Sequence, residues 1–148
     1  MLVLTEAVIA GARDPEIEGV AVVVRSALEA SVEDVLQAHG YLLGTAAHFG
    51  YMSGALKQIG GSLSEDGEGG PSSRLTAGRP FGLYVHGRYD TTGAVRSVRA
   101  ITGALPWWQA AEVREVLGDV TDEGARSAYA LGATLAAHVA TSSHAADR

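Results

Sequence analysis

The chain has 148 residues, enough for one domain with a real core, and 47% of them are hydrophobic, which places it among folding sequences. A formal net charge of −6, with no Lys/Arg-rich run, argues against a general nucleic-acid binder, because phosphate contacts need clustered cations. The absence of cysteine excludes disulfides, thiol catalysis and thiolate metal sites.

No apolar run approaches the ~20 residues that a membrane helix needs. The N-terminus shows no basic region followed by an apolar one, so no signal peptide is expected. The expectation is a soluble cytoplasmic protein with no membrane or nucleic-acid partner.

Met1, Leu4, Val8 and Ala12 recur at helical spacing and predict a helix over residues 2–12. Pro15 and Gly19 end it. "VAVVVR", residues 20–25, is a β-branched run that predicts a strand buried on both faces. "SVED", residues 31–34, fits a capping box opening a short helix. "GYLLG" predicts a second buried strand, and a helix is expected over about 50–59.

Residues 60–73, "GGSLSEDGEGGPSS", read as a flexible loop. "PFGLYVHG", residues 80–87, predicts a third strand. Val95, Val98, Ile101 and Leu105 mark one face of the next helix. "AAEVREVLG" alternates and predicts a fourth strand at a sheet edge. Of Trp107 and Trp108, which precede it, one is expected under the sheet edge. Ala125, Ala128, Tyr129, Gly132, Leu135 and Val139 mark a closing helix capped by Thr121 or Asp122. Residues 141–148 are expected to fray. The whole reads as a single domain.

Alternating strands and helices predict a parallel sheet with helices on both faces, and no internal repeat is present. Ligands of such sheets bind beyond the carboxyl ends of the strands. Two loops fall there. The first is residues 45–50, Thr-Ala-Ala-His-Phe-Gly, whose small residues admit a planar ligand to the backbone. The second is residues 86–93, His-Gly-Arg-Tyr-Asp-Thr-Thr-Gly, with an aromatic ring, a fixed positive charge and several polar groups at a helix start. Together they suggest a slot for a flat polar heteroaromatic. On spacing alone, Asp90 and Thr91 are helix caps before they are ligand contacts. Phe49 and Tyr51 divide between core packing and an aromatic wall.

Other chemistry finds little support. His39, His48, His86, His138 and His144 include no HxH or HExxH spacing, so a metal site of His48, His86 and Asp90 is not expected. "GYMSG" is not a nucleophile elbow. No GxxxxGK[ST] loop occurs.

"GTAAHFGYMSGALK" is similar to the segment "GTPxxFGxxSGxLK" of the flavodoxin-like FMN-binding family, which includes NAD(P)H-dependent FMN reductases. "GRPFGLYVHGRYDTTGAVRSV" resembles that family's next strand and the loop lining the flavin ring. The similarity runs, with one interruption, from about residue 4 to residue 139. It implies a flavodoxin-like three-layer α/β/α fold with a parallel sheet in the order 2-1-3-4-5. The chain starts within what would be that family's first helix. The expected sheet is therefore N-terminally truncated to about four strands, without the family's first strand and phosphate-binding loop.

By the same resemblance Thr45, Ala46, His48, Phe49 and Gly50 border the isoalloxazine, and Gly87, Arg88, Tyr89 and Asp90 border it from the other side. The implied cofactor is FMN, weakened or lost without the phosphate loop, with NAD(P)H as electron donor. The implied function is an NAD(P)H-dependent flavin or quinone-type oxidoreductase, or an electron carrier, serving a small-molecule acceptor, and a homo-oligomer is expected. No residue is assigned as a catalytic acid or base. The alternative is a non-catalytic flavodoxin-like remnant that no longer binds FMN and acts as an oligomer or interaction module.

Overall fold

The structure is a computed structural model that describes residues 1–47 and 75–146. The expected helix at 50–59 and loop at 60–73 lie outside the described residues, as do His48, Phe49, Gly50 and Tyr51.

Among the described residues, four parallel strands form one sheet. Strand β1, Tyr41–Ala46, pairs with β2, Pro80–Gly87, from Tyr41 opposite Phe81 to Ala46 opposite His86. Two short strands, β3 (Trp108–Gln109) and β4 (Arg114–Leu117), also pair with β2, at Pro80–Phe81 and at residues 84–87. Since β1 occupies one edge of β2, the two short strands follow one another along the other. β2 thus has neighbours on both sides, and its near-continuous burial explains its uniform apolar sequence. The exposed–half-buried alternation of β4 is that of an edge strand.

Helices cover both faces. On one face, α1 (Leu2–Ala12) and the last helix, α4 (Asp122–Ala146), pack on each other and on the sheet through Leu4, Val8, Tyr84, Ala128 and Leu131. On the other, Ala94, Val95 and Val98 of α3 (Thr92–Gly103) cover Leu83 and Val85. The α1–α4 contact is a backbone-to-backbone approach. A Cβ on Gly11 would fall 1.9 Å from the carbonyl oxygen of Tyr129, and one on Gly132 would fall 2.0 Å from that of Val8.

The expected capping box is present. Ser31 Oγ accepts from the Asp34 amide at 3.1 Å, and the Ser31 amide donates to the Asp34 carboxylate at 3.0 Å, opening α2, Val32–Gln37. At its far end the Arg79 guanidinium donates to the carbonyls of Leu36 and Ala38, while the Tyr41 hydroxyl donates to that of Val35. These groups satisfy the carbonyls that a short helix leaves unpaired. Trp107 stacks on Tyr41 at 4.2 Å between ring centroids, and Trp108 stays partly exposed beside His138.

Three expectations are corrected. Residues 20–25 form no strand: they join no ladder, and Val23 and Val24 are 67% and 47% exposed. β-branched residues favour a strand only where a neighbouring edge and a covering layer exist, and no described strand pairs with this run. The first loop begins later than expected, because β1 runs on through Thr45 and Ala46. β2 continues opposite them, and the Ala47 amide still donates to His86 O at 2.9 Å. The closing helix continues to Ala146, into the segment expected to fray. Its cap is Thr121, whose Oγ1 accepts from the Gly124 amide at 3.1 Å.

Candidate functional site

The carboxyl ends of β1 and β2 lie side by side, so parallel pairing brings the two segments singled out in the sequence together. Ala46 sits opposite His86, and Ala47 packs beside Gly87, where an added Cβ would meet the Ala47 methyl at 3.2 Å and the Thr91 methyl at 2.9 Å. Gly87 is therefore required by close packing between the two segments.

Within this juxtaposition the named residues differ in what they offer. Thr45 is 2% exposed, and its hydroxyl donates to Ala46 O at 3.2 Å. It lies on the same side of the strand as Leu43, toward α3. Its side chain belongs to the core, leaving the backbone of residues 45–47 as its contribution to a binding surface. Arg88, Tyr89 and Asp90 are all exposed, Tyr89 at 85%. They form a rim with one fixed cation and one unpacked aromatic ring.

Asp90 has a structural role as well. Its Oδ1 accepts from the Thr92 amide at 3.0 Å, and that bond holds its carboxyl below the usual carboxylate range. The helix-cap role expected from spacing is thus realised at Asp90. Thr91 is buried and makes no cap bond. It donates instead to Glu115 Oε1 at 2.7 Å, linking the loop after β2 to β4.

The His86 imidazole joins three parts of the chain. Its Nδ1 lies 2.8 Å from the α-amino nitrogen of Met1, and its Nε2 lies 2.5 Å from Gly118 O. With the amine as donor, Nδ1 accepts and the Nε2 hydrogen is donated to the carbonyl. The Gly118 amide in turn donates to Gly87 O at 2.8 Å. The turn at Gly118, with φ of 76°, therefore braces the carboxyl end of β2, a contact that the sequence reading did not assign. A glycine directly after an alternating run was its only signal in the sequence. Among the described residues no three His, Asp or Glu side chains converge as a metal site. No described helix is long and apolar enough to cross a membrane.

No known family profile matches the chain, and no curated protein matches it in sequence. Solved structures do match in shape. A flavodoxin, WrbA-like protein from Agrobacterium tumefaciens aligns with a TM-score of 0.70 and 17% identity, over 95% of this chain and 88% of that one. A flavodoxin from the domain Archaea aligns at 0.69 and 13%, over 93% and 88%. The flavodiiron core of a Synechocystis protein aligns at 0.72 and 15%, over 94% of this chain but 32% of the other. Shape at this level of identity speaks for the fold. The chain has a flavodoxin-like α/β fold built on a parallel sheet.

Proposed function

We propose that this protein is an FMN-binding flavoprotein that holds the flavin by its ring, with NAD(P)H as electron donor and a small-molecule acceptor such as a quinone. The carrying observation is the juxtaposition of residues 45–47 with residues 87–90 at the carboxyl ends of paired parallel strands. Similarity in shape to proteins titled flavodoxins adds to it.

The ring side fits a flat ligand. The small, half-buried residues at 46 and 47 keep bulk off the backbone there, and Tyr89 and Arg88 supply an unpacked ring and a cation at the rim. The other end fits FMN less well. The first turn of α1 lies near the same carboxyl end of the sheet, through the Met1–His86 contact, and its only hydroxyl is that of Thr5, 3.0 Å from the Tyr84 hydroxyl. A phosphate there would meet helix-end amides and no free hydroxyl of that turn.

FMN, when bound, supplies the redox chemistry, accepting a hydride and passing electrons on. The chain's own groups position the ring and set its surroundings. The same reading assigns His48, Phe49 and Gly50, which lie outside the described residues, to that wall. Titration of the purified protein with FMN, followed by flavin fluorescence, tests the reading. Saturable binding in the micromolar range, weakened by Tyr89→Ala, is expected. No saturation at high micromolar FMN sinks it.

A further inference from the structure

The loop that forms the proposed ring wall is anchored at two points, and both anchors lie on the strand-and-turn segment beyond β2. One is the Gly118 amide on Gly87 O at 2.8 Å, a backbone contact that continues the β2–β4 ladder. The other is a side-chain bond from Thr91 Oγ1 to Glu115 Oε1 at 2.7 Å. Between the anchors, residues 88–90 are exposed and carry every side chain that the loop offers to a ligand. Asp90 holds the Thr92 amide, so its bond orders the start of α3 and leaves the loop's other side unsecured.

Glu115 is exposed, while Thr91 is 4% exposed and presses its methyl toward Gly87. A carboxylate in solvent gives up some hydration to accept from a buried hydroxyl. In return it fixes the one rotor that places Thr91 against the glycine. This bond sits at the junction of the loop with α3.

We propose that Glu115 is a positioning residue for the loop at 88–90: it acts through Thr91 to hold that loop in the conformation that receives the ligand's ring. The inference rests on the flavin reading for the identity of the ligand and on the Thr91–Glu115 geometry for the mechanism. Its signature is loss of preorganisation, so a loosened loop must be ordered at the moment of binding.

The test compares Glu115→Ala, Glu115→Gln and Thr91→Val by two readouts. The first needs no ligand. Amide hydrogen exchange of the protein alone should quicken at Thr92 and Val95, whose amides donate to Asp90 Oδ1 and to Thr91 O, in Glu115→Ala and Thr91→Val, and stay at the wild-type rate in β2 and α4. Glu115→Gln retains an acceptor oxygen and should exchange like wild type. The second readout is FMN titration. Glu115→Ala and Thr91→Val should each bind about tenfold more weakly, the equivalent of about 1.4 kcal/mol. The double variant should be no weaker than either single one, because both remove the same bond.

Unchanged exchange at Thr92 and Val95 in Glu115→Ala overturns the inference, as does a Glu115→Gln variant as loose as the alanine one. Additive losses in the double variant overturn it too. Wild-type protein that shows the exchange pattern and binds no FMN leaves the anchor standing and overturns the flavin reading and the ligand role assigned here.

Discussion

Glycines decide more of this structure at the residue scale than the charged groups do. Gly44 closes the apolar run "GYLLG" that the sequence marks as a strand. In the fold it lies mid-strand, because the Tyr84 ring fills the space a side chain would need: a Cβ at 44 would fall 2.2 Å from the ring. Gly132 stands out even more, since the obstacle there is the Val8 carbonyl, which cannot rotate away. Gly132→Ala must force α1 and α4 apart, at a cost of at least ~2–3 kcal/mol. For a chain of this size that corresponds to a fall in melting temperature of roughly 5–10 °C. Gly103→Ala is the control. It ends α3 with nothing within 4 Å of the added methyl, so it should be neutral or slightly stabilising. Thermal melts by circular dichroism separate the two, and equal melting temperatures would show that the helix contact tolerates a methyl.

At the scale of elements, α1 depends on its neighbours. Eleven residues are too few for a stable isolated helix in water. Its exit is tied to α4 by the Tyr129 hydroxyl, which donates to Asp14 Oδ2. That bond holds the Asp14 carboxyl below its ordinary 3.8 and pushes the Tyr129 phenol above its ordinary 10.0. The two shifts set a pH window. The lowered carboxyl contributes stability that is present above its unfolded pKa and lost as pH falls through the folded one. The raised phenol contributes stability that is present below its unfolded pKa and lost as pH rises through the folded one. Asp14→Asn should therefore lower the melting temperature across the neutral range. Its gap from wild type should narrow in strong acid and strong alkali. The gap should be small, because both groups face solvent, and a gap that stays constant below pH 3 would mean the ionised bond is not its source. Helical elements of this kind were legible: the bounds of α1 follow from Leu4, Val8 and Ala12, and the capping box of α2 from Ser31 and Asp34. β3 was not legible, because a two-residue pairing at Trp108 and Gln109 leaves no periodicity to read.

At the scale of the whole molecule, the layered α/β plan was legible because strand-length apolar runs alternate with helical faces. The juxtaposition of residues 45–47 with 87–90 followed from it, since parallel strands bring their carboxyl ends together. The Thr91–Glu115 link was not legible, because it joins residues 24 apart through a rotamer choice rather than a pattern. The run at 20–25 misled for a related reason. Its composition is that of a buried central strand, yet burial is supplied by neighbours and covering layers, which composition does not report. This difference has a direct consequence. Val23→Lys with Val24→Lys places two charges in the run. In a strand covered on both faces the pair would cost several kcal/mol, because each charge would be buried without a partner. In the fold described here both side chains already meet solvent, so each change should stay within about 0.5 kcal/mol. Urea denaturation with the midpoint and slope compared to wild type measures it. A midpoint shift equivalent to ~3 kcal/mol or more would mean that residues 20–25 are packed in the folded protein after all, and that the sheet has a further strand at this edge.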